Sequence, residues 1–338
     1  MNRKDLHTPF NILVKAWMII YNIKPNSLLI CKKNIPKGTK INLFLSELYS
    51  KSFNKDTMRK ISLIIAFILL SITSAMQAQT ATSLISQMLD AIHNFKSGRY
   101  ILNKIERMDG KMYTAEMIIK LQTNPLKVYS YNVNPDPGAE ALFLYGSNNN
   151  DILVRPNKFP YVNLNLSPFN SLVRKNHHHT IYEIGFGYIG AIISYNILNR
   201  KEDFYAGLTY DGEVDWKGKK YFKITIDNKD FAFIDYKVEK GENLYTIGKK
   251  FMVADYMILS NNKNISDYDD IKAGQTIKIP NCFAKKIEFY LDKDTYLPVI
   301  EVIYDHKGLF AQYEFNSLLL NVVIKPEEFT PKYKDYKF

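Results

Sequence analysis

Residues 236–280 read YKVEKGENLYTIGKKFMVADYMILSNNKNISDYDDIKAGQTIKIP. A short alternating run, Tyr236 and Val238, opens the stretch. Glu239-Lys240-Gly241-Glu242-Asn243 then makes a turn. Leu244, Ile247 and Phe251 fall at helical spacing, and a second apolar helical set follows at Tyr256, Met257, Ile258 and Leu259, ended by Asn261 and Asn262. Gly274 turns the chain into Thr276-Ile277-Lys278-Ile279-Pro280, an alternating strand closed by proline. The spacing predicts strand, helix, helix, strand. The apolar set Val238, Leu244, Ile247, Phe251, Ile258, Ile277 and Ile279 predicts a core that lets this stretch fold by itself.

In order and spacing this segment resembles a LysM module, a small domain that binds the N-acetylglucosamine backbone of peptidoglycan or chitin. Gly241-Glu242-Asn243-Leu244 stands where the family has Gly-Asp-Thr/Ser-Leu, and Ile247-Gly248-Lys249-Lys250-Phe251 where it has Ile-Ala-Lys-Lys-Phe. Asn262 matches the Asn after the second helix, and Gly274-Gln275-Thr276-Ile277-Lys278-Ile279-Pro280 the closing Gly-Gln-x-Leu/Ile-x-Ile-Pro. Glu242, Asn243 and Gly248 depart from the family residues. The resemblance implies a shallow sugar groove between the two loops, carried by Gly241, Glu242, Asn243, Leu244, Asn262, Ile271, Lys272 and Gly274. Backbone groups at 241–244 and 271–274 would bond the N-acetyl groups. The bland alternative is a LysM fold without glycan affinity.

Upstream, Met58-Arg59-Lys60 precedes the apolar run Ile61–Leu70, followed by Ser71-Ile72-Thr73-Ser74-Ala75-Met76-Gln77-Ala78. Basic, apolar and small residues in that order read as a secretory signal peptide at 58–78. Such a peptide begins a chain, so residues 1–57 are read as upstream sequence included in error. The alternative is a membrane anchor with a basic cytoplasmic arm. The choice changes the charge. The chain has 45 Lys+Arg and 34 Asp+Glu; residues 1–78 hold 12 and 3 of them, leaving 33 and 31, about +2. A near-neutral mature chain argues against nucleic-acid binding. Cys282 is the one cysteine after the leader, so no intramolecular disulfide forms in the mature chain, and no lipidated cysteine follows the signal.

The remaining 260 residues suffice for one sizeable core plus the module. Ser83–Phe95 reads as a helix with the stripe Leu84, Ile85, Met88, Leu89 and Ile92. Short strands follow at Tyr100–Glu106, Ala115–Gln122, Lys127–Asn132, Ala141–Tyr145, Asp151–Val154, Leu208–Tyr210 and Lys220–Ile226. After the module come Lys285–Leu291, Leu297–Tyr304 and Phe310–Leu320. Tyr and Ile alternating with Lys and Glu predict a meandering antiparallel sheet.

This order resembles the LolA/LolB-like lipoprotein-carrier superfamily. The likeness is carried by Tyr290-Leu291-Asp292-Lys293-Asp294-Thr295-Tyr296-Leu297-Pro298-Val299, Tyr304-Asp305-His306-Lys307-Gly308, Tyr313-Glu314-Phe315 and Lys325-Pro326-Glu327-Glu328-Phe329. Residues 125–193, through Pro125-Leu126-Lys127-Val128-Tyr129, Gly138-Ala139-Glu140-Ala141-Leu142 and His179–Tyr188, resemble a related family of exported bacterial proteins of unknown function. The expected fold is α+β: a curved antiparallel half-barrel with helices on one face, formed by 83–233 and 283–331, with a βααβ module inserted at 236–280. By analogy, the half-barrel would hold a lipid, a lipoprotein's acyl chain or another apolar ligand.

No catalytic, metal or cofactor site is assigned. His177-His178-His179 is the one histidine cluster, but neighbours on a strand point to opposite faces, and no further ligand stands at metal spacing beyond Glu183. A structural or site role for His179 and Glu183 stays open. Asp211, Glu213 and Asp215 read as solvent-facing hairpin ends. The composite expectation is a non-enzymatic protein of the periplasm or cell envelope of a Gram-negative bacterium, with peptidoglycan as partner. The rivals are a cell-wall glycan-acting enzyme targeted by LysM and a purely structural envelope protein.

Overall fold

A computed structural model of the chain describes residues 63–64, 80–159 and 161–338. The segments 1–57 and 58–78 lie outside these residues, apart from the exposed helical pair Leu63 and Ile64. Among the described residues no helix is long and apolar enough to cross a membrane.

Helix α1 (80–94) leads into an antiparallel meander: β1 (Ser97–Met108), β2 (Lys111–Thr123), β3 (Leu126–Asn134), β4 (Glu140–Leu144), β5 (Ile152–Arg155) and β6 (Leu164–Leu166). Helices α2 (Ser171–Arg174), α3 (Gly187–Asn199) and α4 (Lys201–Gly207) precede β7 (Leu208–Trp216) and β8 (Lys219–Asp227). The module supplies β9 (Phe233–Lys237), α5 (Leu244–Phe251), α6 (Asp255–Leu259) and β10 (Thr276–Pro280). Strands β11 (Lys286–Asp292), β12 (Pro298–Asp305) and β13 (Gly308–Leu320) follow. Eleven strands form one curved antiparallel sheet, ordered β6-β5-β4-β3-β2-β1-β13-β12-β11-β8-β7, while β9 and β10 form a separate pair. The fold is the expected α+β half-barrel with its inserted βααβ unit.

Leu84, Ile85 and Met88 of α1 and Ile189, Ile192 and Ile193 of α3 pack with Phe289, Ile303 and Phe310 of the sheet in one core. Each such buried side chain is worth about 1.5–3 kcal/mol. Gly190 permits the close approach of α3 to α1, since a Cβ there would stand 2.9 Å from Ile92 Cγ2. Two details depart from the sequence expectation. Strand β7 runs on to Trp216, with Asp211 at a bulge between Tyr210 and Gly212 and Glu213 on the exposed edge. Of the three carboxylates only Asp215 serves a hairpin turn, accepting from Gly218 N at 3.0 Å. On β1 the buried residues include Lys104 and Glu106, while Ile101 and Ile105 are only half-buried.

The insertion sits between two strands that pair with each other: Asp227 of β8 lies opposite Lys286 of β11. Asn228 N donates to Lys285 O at 2.8 Å and Asn281 N to Ala232 O at 2.9 Å, so both chain crossings are laced together. The module has its own core of Val238, Leu244, Ile247, Val253, Ile258, Ile265, Ile277 and Ile279. It also places Ala254, Tyr256 and Met257 in the core of the host. Arg174 and Asp255 form a bidentate buried pair at 3.0 and 2.9 Å across this junction.

The C-terminal segment covers the opposite face of the sheet. The Tyr336 ring stacks on Tyr129 at 3.8 Å, and Phe329 is buried with them. Arg99 of β1 holds both Glu328 carboxylate oxygens at 2.7 Å, and Lys120 of β2 adds a third contact at 2.9 Å. These partners, Arg99 foremost, hold the Glu328 carboxyl down to about 2.

Two stability outcomes follow. Glu328→Gln should cost about 2–3 kcal/mol at neutral pH. An ionised Glu328 stabilises the fold above the ordinary carboxylate range, and that contribution is lost as pH falls through about 2. The difference between variant and wild type in denaturant titrations should therefore shrink below pH ~4.5; a constant difference down to pH 2 would contradict it. Asp255→Ala strands Arg174 in the interior and should cost about 3–5 kcal/mol, while adding Arg174→Met should restore most of the loss. Equal stability of Asp255→Ala and wild type would show that the pair does not hold the module.

Candidate functional site

Two surfaces combine shape with chemistry. The first is the loop pair of the module. Gly241, at φ 85°, and Gly274, at φ 86°, adopt left-handed conformations that favour glycine, and each is open to added bulk. The two loops are bonded together. Leu244 N donates to Tyr268 O at 2.9 Å, Gly274 N to Val238 O at 2.8 Å, and Asn243 Nδ2 to Asp269 Oδ1 at 2.8 Å. Asn243 also caps α5: its Oδ1 accepts from Thr246 N, and its own N donates to Thr246 Oγ1, both at 2.9 Å.

The eight sequence-derived positions fall into three groups. Gly241, Glu242 and Asn243 on one loop face Ile271, Lys272 and Gly274 on the other, with exposed or half-buried side chains. Glu242 is turned inward. Its carboxylate accepts from Tyr236 Oη at 2.9 Å, Glu239 N at 2.8 Å and Lys250 Nζ at 3.1 Å. Desolvation pushes its carboxyl up, and these donors more than offset that and leave it below the usual range. Leu244 offers only backbone, since its side chain lies in the core. Asn262 lies apart from the loop pair and is buried. Its Nδ2 donates to Ile258 O and Lys278 O, and its Oδ1 accepts from Lys278 N, all at 2.8 Å. Those bonds pin α6 to β10 and occupy the whole amide.

The second surface is a cavity of about 500 Å³ between the sheet, α3 and the segment around 172–185. Its lining draws on β6, β5, β4, β3, β2, β1, β13 and β12, eight strands adjacent in the sheet. Seven strand spacings of roughly 4.8 Å give the sheet that lines this trough a backbone arc of about 34 Å. Leu102, Ile119, Ile152, Ile192, Ile303 and Phe315 represent its mainly apolar wall.

One end is polar. Lys104 pairs with Glu106 and donates to Asn176 O and His177 Nδ1, both at 2.9 Å. Tyr313 Oη donates to Glu106 Oε1 at 2.6 Å, and His178 N to the same oxygen at 3.3 Å. Burial opposes ionisation of Glu106, but Lys104 and the histidines hold its carboxyl well below the ordinary range. Burial, then Lys104, brings His177 down to about 3, so its neutral Nδ1 accepts from the ammonium. Burial takes His178 to about 4; its ring stacks on Phe310 and Tyr256, and Nε2 bonds Arg107 O at 2.9 Å. His179 lies 4.0 Å from the Glu183 carboxylate and 5.2 Å from the Tyr188 ring centre, so the three histidines face different neighbours, and among the described residues no group of three or more His, Cys, Asp or Glu has metal-holding geometry.

The two surfaces meet at the junction. Glu183 lines the cavity and binds Lys249 of α5 at 2.8 Å; Lys249 also sits 4.1 Å from the Tyr188 ring centre. Arg174 lies 3.9 Å from the Tyr268 ring centre while bound to Asp255. The sequence reading left Arg174, Asp255 and Glu301 unassigned. Glu301 is buried, lines the cavity, and has no hydrogen-bond partner for Oε1 among the described residues.

Comparison with known proteins gives two family matches. Residues 96–233 match DUF1571, a family described as of unknown function, and residues 236–280 match the LysM domain. No curated protein matches the chain. Solved structures that are similar include the Mycobacterium tuberculosis lipoprotein LppX, at 15% identity and a TM-score of 0.36, covering 73% of this chain and 98% of that one. LprF from Mycobacterium bovis is similar at 10% identity and 0.37, covering 74% and 96%. The LolA superfamily protein NE2245 from Nitrosomonas europaea is similar at 10% and 0.29, covering 75% and 98%. The chain carries a LysM domain at residues 236–280, directly after a DUF1571 region at residues 96–233.

Proposed function

We propose that this chain is a non-enzymatic protein of the cell envelope, exported through residues 58–78, that grips peptidoglycan with its LysM domain and holds a lipidic or apolar ligand in its half-barrel. The observation that carries the proposal is the joining of a LysM domain to a body with a long, mainly apolar trough. Backbone groups at Gly241–Leu244 and Ile271–Gly274 are the glycan contacts in this reading. Asn262 serves them at a distance, by fixing α6 against β10. The host, 83–233 with 283–331, is the carrier body.

A glycan-acting enzyme is the second reading. One observation favours it: Glu106 is held ionised while Glu301 is pushed up to about 8, and acid–base pairs have opposed states of that kind. Glu106, however, is already engaged by Lys104, Tyr313 and His178 N, and the rest of the trough wall is mainly apolar, whereas a sugar chain needs many polar partners.

The full-length protein should sediment with insoluble peptidoglycan, and a chito-oligosaccharide should displace it. Binding should be weak, because sugar hydroxyls must be desolvated before they pair, and nearly independent of salt, because the sugar is neutral. Hydrogen exchange with the oligosaccharide bound should slow within 239–245 and 268–275. Sedimentation abolished by high salt and unaffected by the oligosaccharide would replace the groove with charge attraction. Solvent extraction of native protein followed by mass spectrometry should release an acyl-chain compound; turnover of peptidoglycan with an empty extract would favour the enzyme.

A further inference from the structure

We propose that Glu301 is the polar anchor of the trough, and that the ligand is an amphiphile whose apolar chain ends in an uncharged hydrogen-bonding group: a hydroxyl, an ester or an amide. The proposal rests on the reading that the half-barrel holds a ligand and adds which ligand chemistry it selects.

Glu301 sits in the middle of Pro298-Val299-Ile300-Glu301-Val302-Ile303-Tyr304, a strand otherwise free of charge up to Asp305. It is 5% exposed and lines the cavity. Leaving a buried polar atom unpaired costs about 1–3 kcal/mol, so an acid kept there invites a role. Strand register places Glu301 beside Tyr313, and Tyr313 beside Lys104. Neither neighbour bonds it: Tyr313 Oη donates to Glu106, and Lys104 is taken by Glu106, Asn176 and His177. The Tyr100 hydroxyl, on the inward-facing side of β1, also lacks a partner among the described residues.

The charge state narrows the ligand. Burial pushes the Glu301 carboxyl up to about 8, so at neutral pH it is an acid that both donates and accepts. A hydroxyl, ester or amide pairs with it without bringing charge into the wall. An anionic head would need a free cation, and both lysines lining the trough are paired, Lys104 with Glu106 and Lys158 with Asp136. A cationic head would have to ionise Glu301, and desolvating both ions offsets their attraction. Several other titratable groups line the trough. Burial lowers His177 and His179 and raises Tyr188 and Tyr313, while their charged partners hold Glu106 and Glu183 below the usual carboxylate range.

The test uses full-length protein and four probes with C18 chains: 1-monooleoylglycerol, oleamide, oleylamine and 1-octadecene. Monooleoylglycerol and oleamide should bind about tenfold more tightly than octadecene, the value of roughly one net hydrogen bond. Glu301→Leu should erase that preference while keeping octadecene binding and folding, and Glu301→Gln should keep it. A preference that survives in Glu301→Leu, or oleylamine as the tightest probe, overturns the proposal. Octadecene bound with no preference in the wild type refutes the anchor but leaves ligand carriage standing. No probe bound at all refutes both.

Discussion

The pairing of β8 with β11 is the constraint on which the rest of the molecule depends. Asp227 and Lys286 lie opposite one another, so the chain leaves and re-enters the sheet at one point. A strand–helix–helix–strand unit satisfies this because its own first and last strands pair, Ile279 opposite Ile234. The host therefore completes its eleven-strand sheet without a gap. The inserted unit still supplies Tyr256 and Met257 to the host interior, and Tyr256 flanks His178. Host and insert share one core at the junction rather than resting side by side.

Polarity inside the trough follows from the same architecture. A half-barrel wall wants apolar residues on every inward position, and most comply. Lys104, Glu106 and Tyr313 break that rule as a mutually bonded set with the His177–His178 segment folded over it. A set bonded in this way costs little, because each buried charge meets its opposite or a donor. Glu301, one strand away, keeps an unpaired Oε1 among the described residues. One wall thus contains a satisfied polar cluster and an unsatisfied acid.

Much of this was legible in the sequence where local periodicity and tertiary environment agree. The module is the clearest case: its turn glycines and alternating closing strand serve local needs and appear where expected, while Asn243, legible only as part of the turn, also caps α5. Periodicity does not reveal helix α3 because Tyr188-Ile189-Gly190-Ala191-Ile192-Ile193 shows no polar stripe; α3 packs against the sheet and α1, so the usual signal is absent. The inward turn of Lys104 and Glu106 defied the habit of placing charges outside, since their partners come from residues some 70 and 200 positions away. Asn262 was expected among the sugar contacts, yet three backbone bonds consume its amide. Glu301 did leave a mark: a lone acid in an apolar strand is an anomaly that periodicity alone flags.

The double crossing between host and insert has a mechanical consequence. A domain on one linker swivels; here two laced crossings, the Arg174–Asp255 pair and the Lys249–Glu183 contact oppose rotation about any axis. A strand of cell wall held at 241–244 and 271–274 would therefore set the compass bearing of the trough as well as its address. Pulling on that strand would load several contacts in parallel, so the body would behave as a bracket bolted at more than one point, keeping its opening at a fixed angle to the wall.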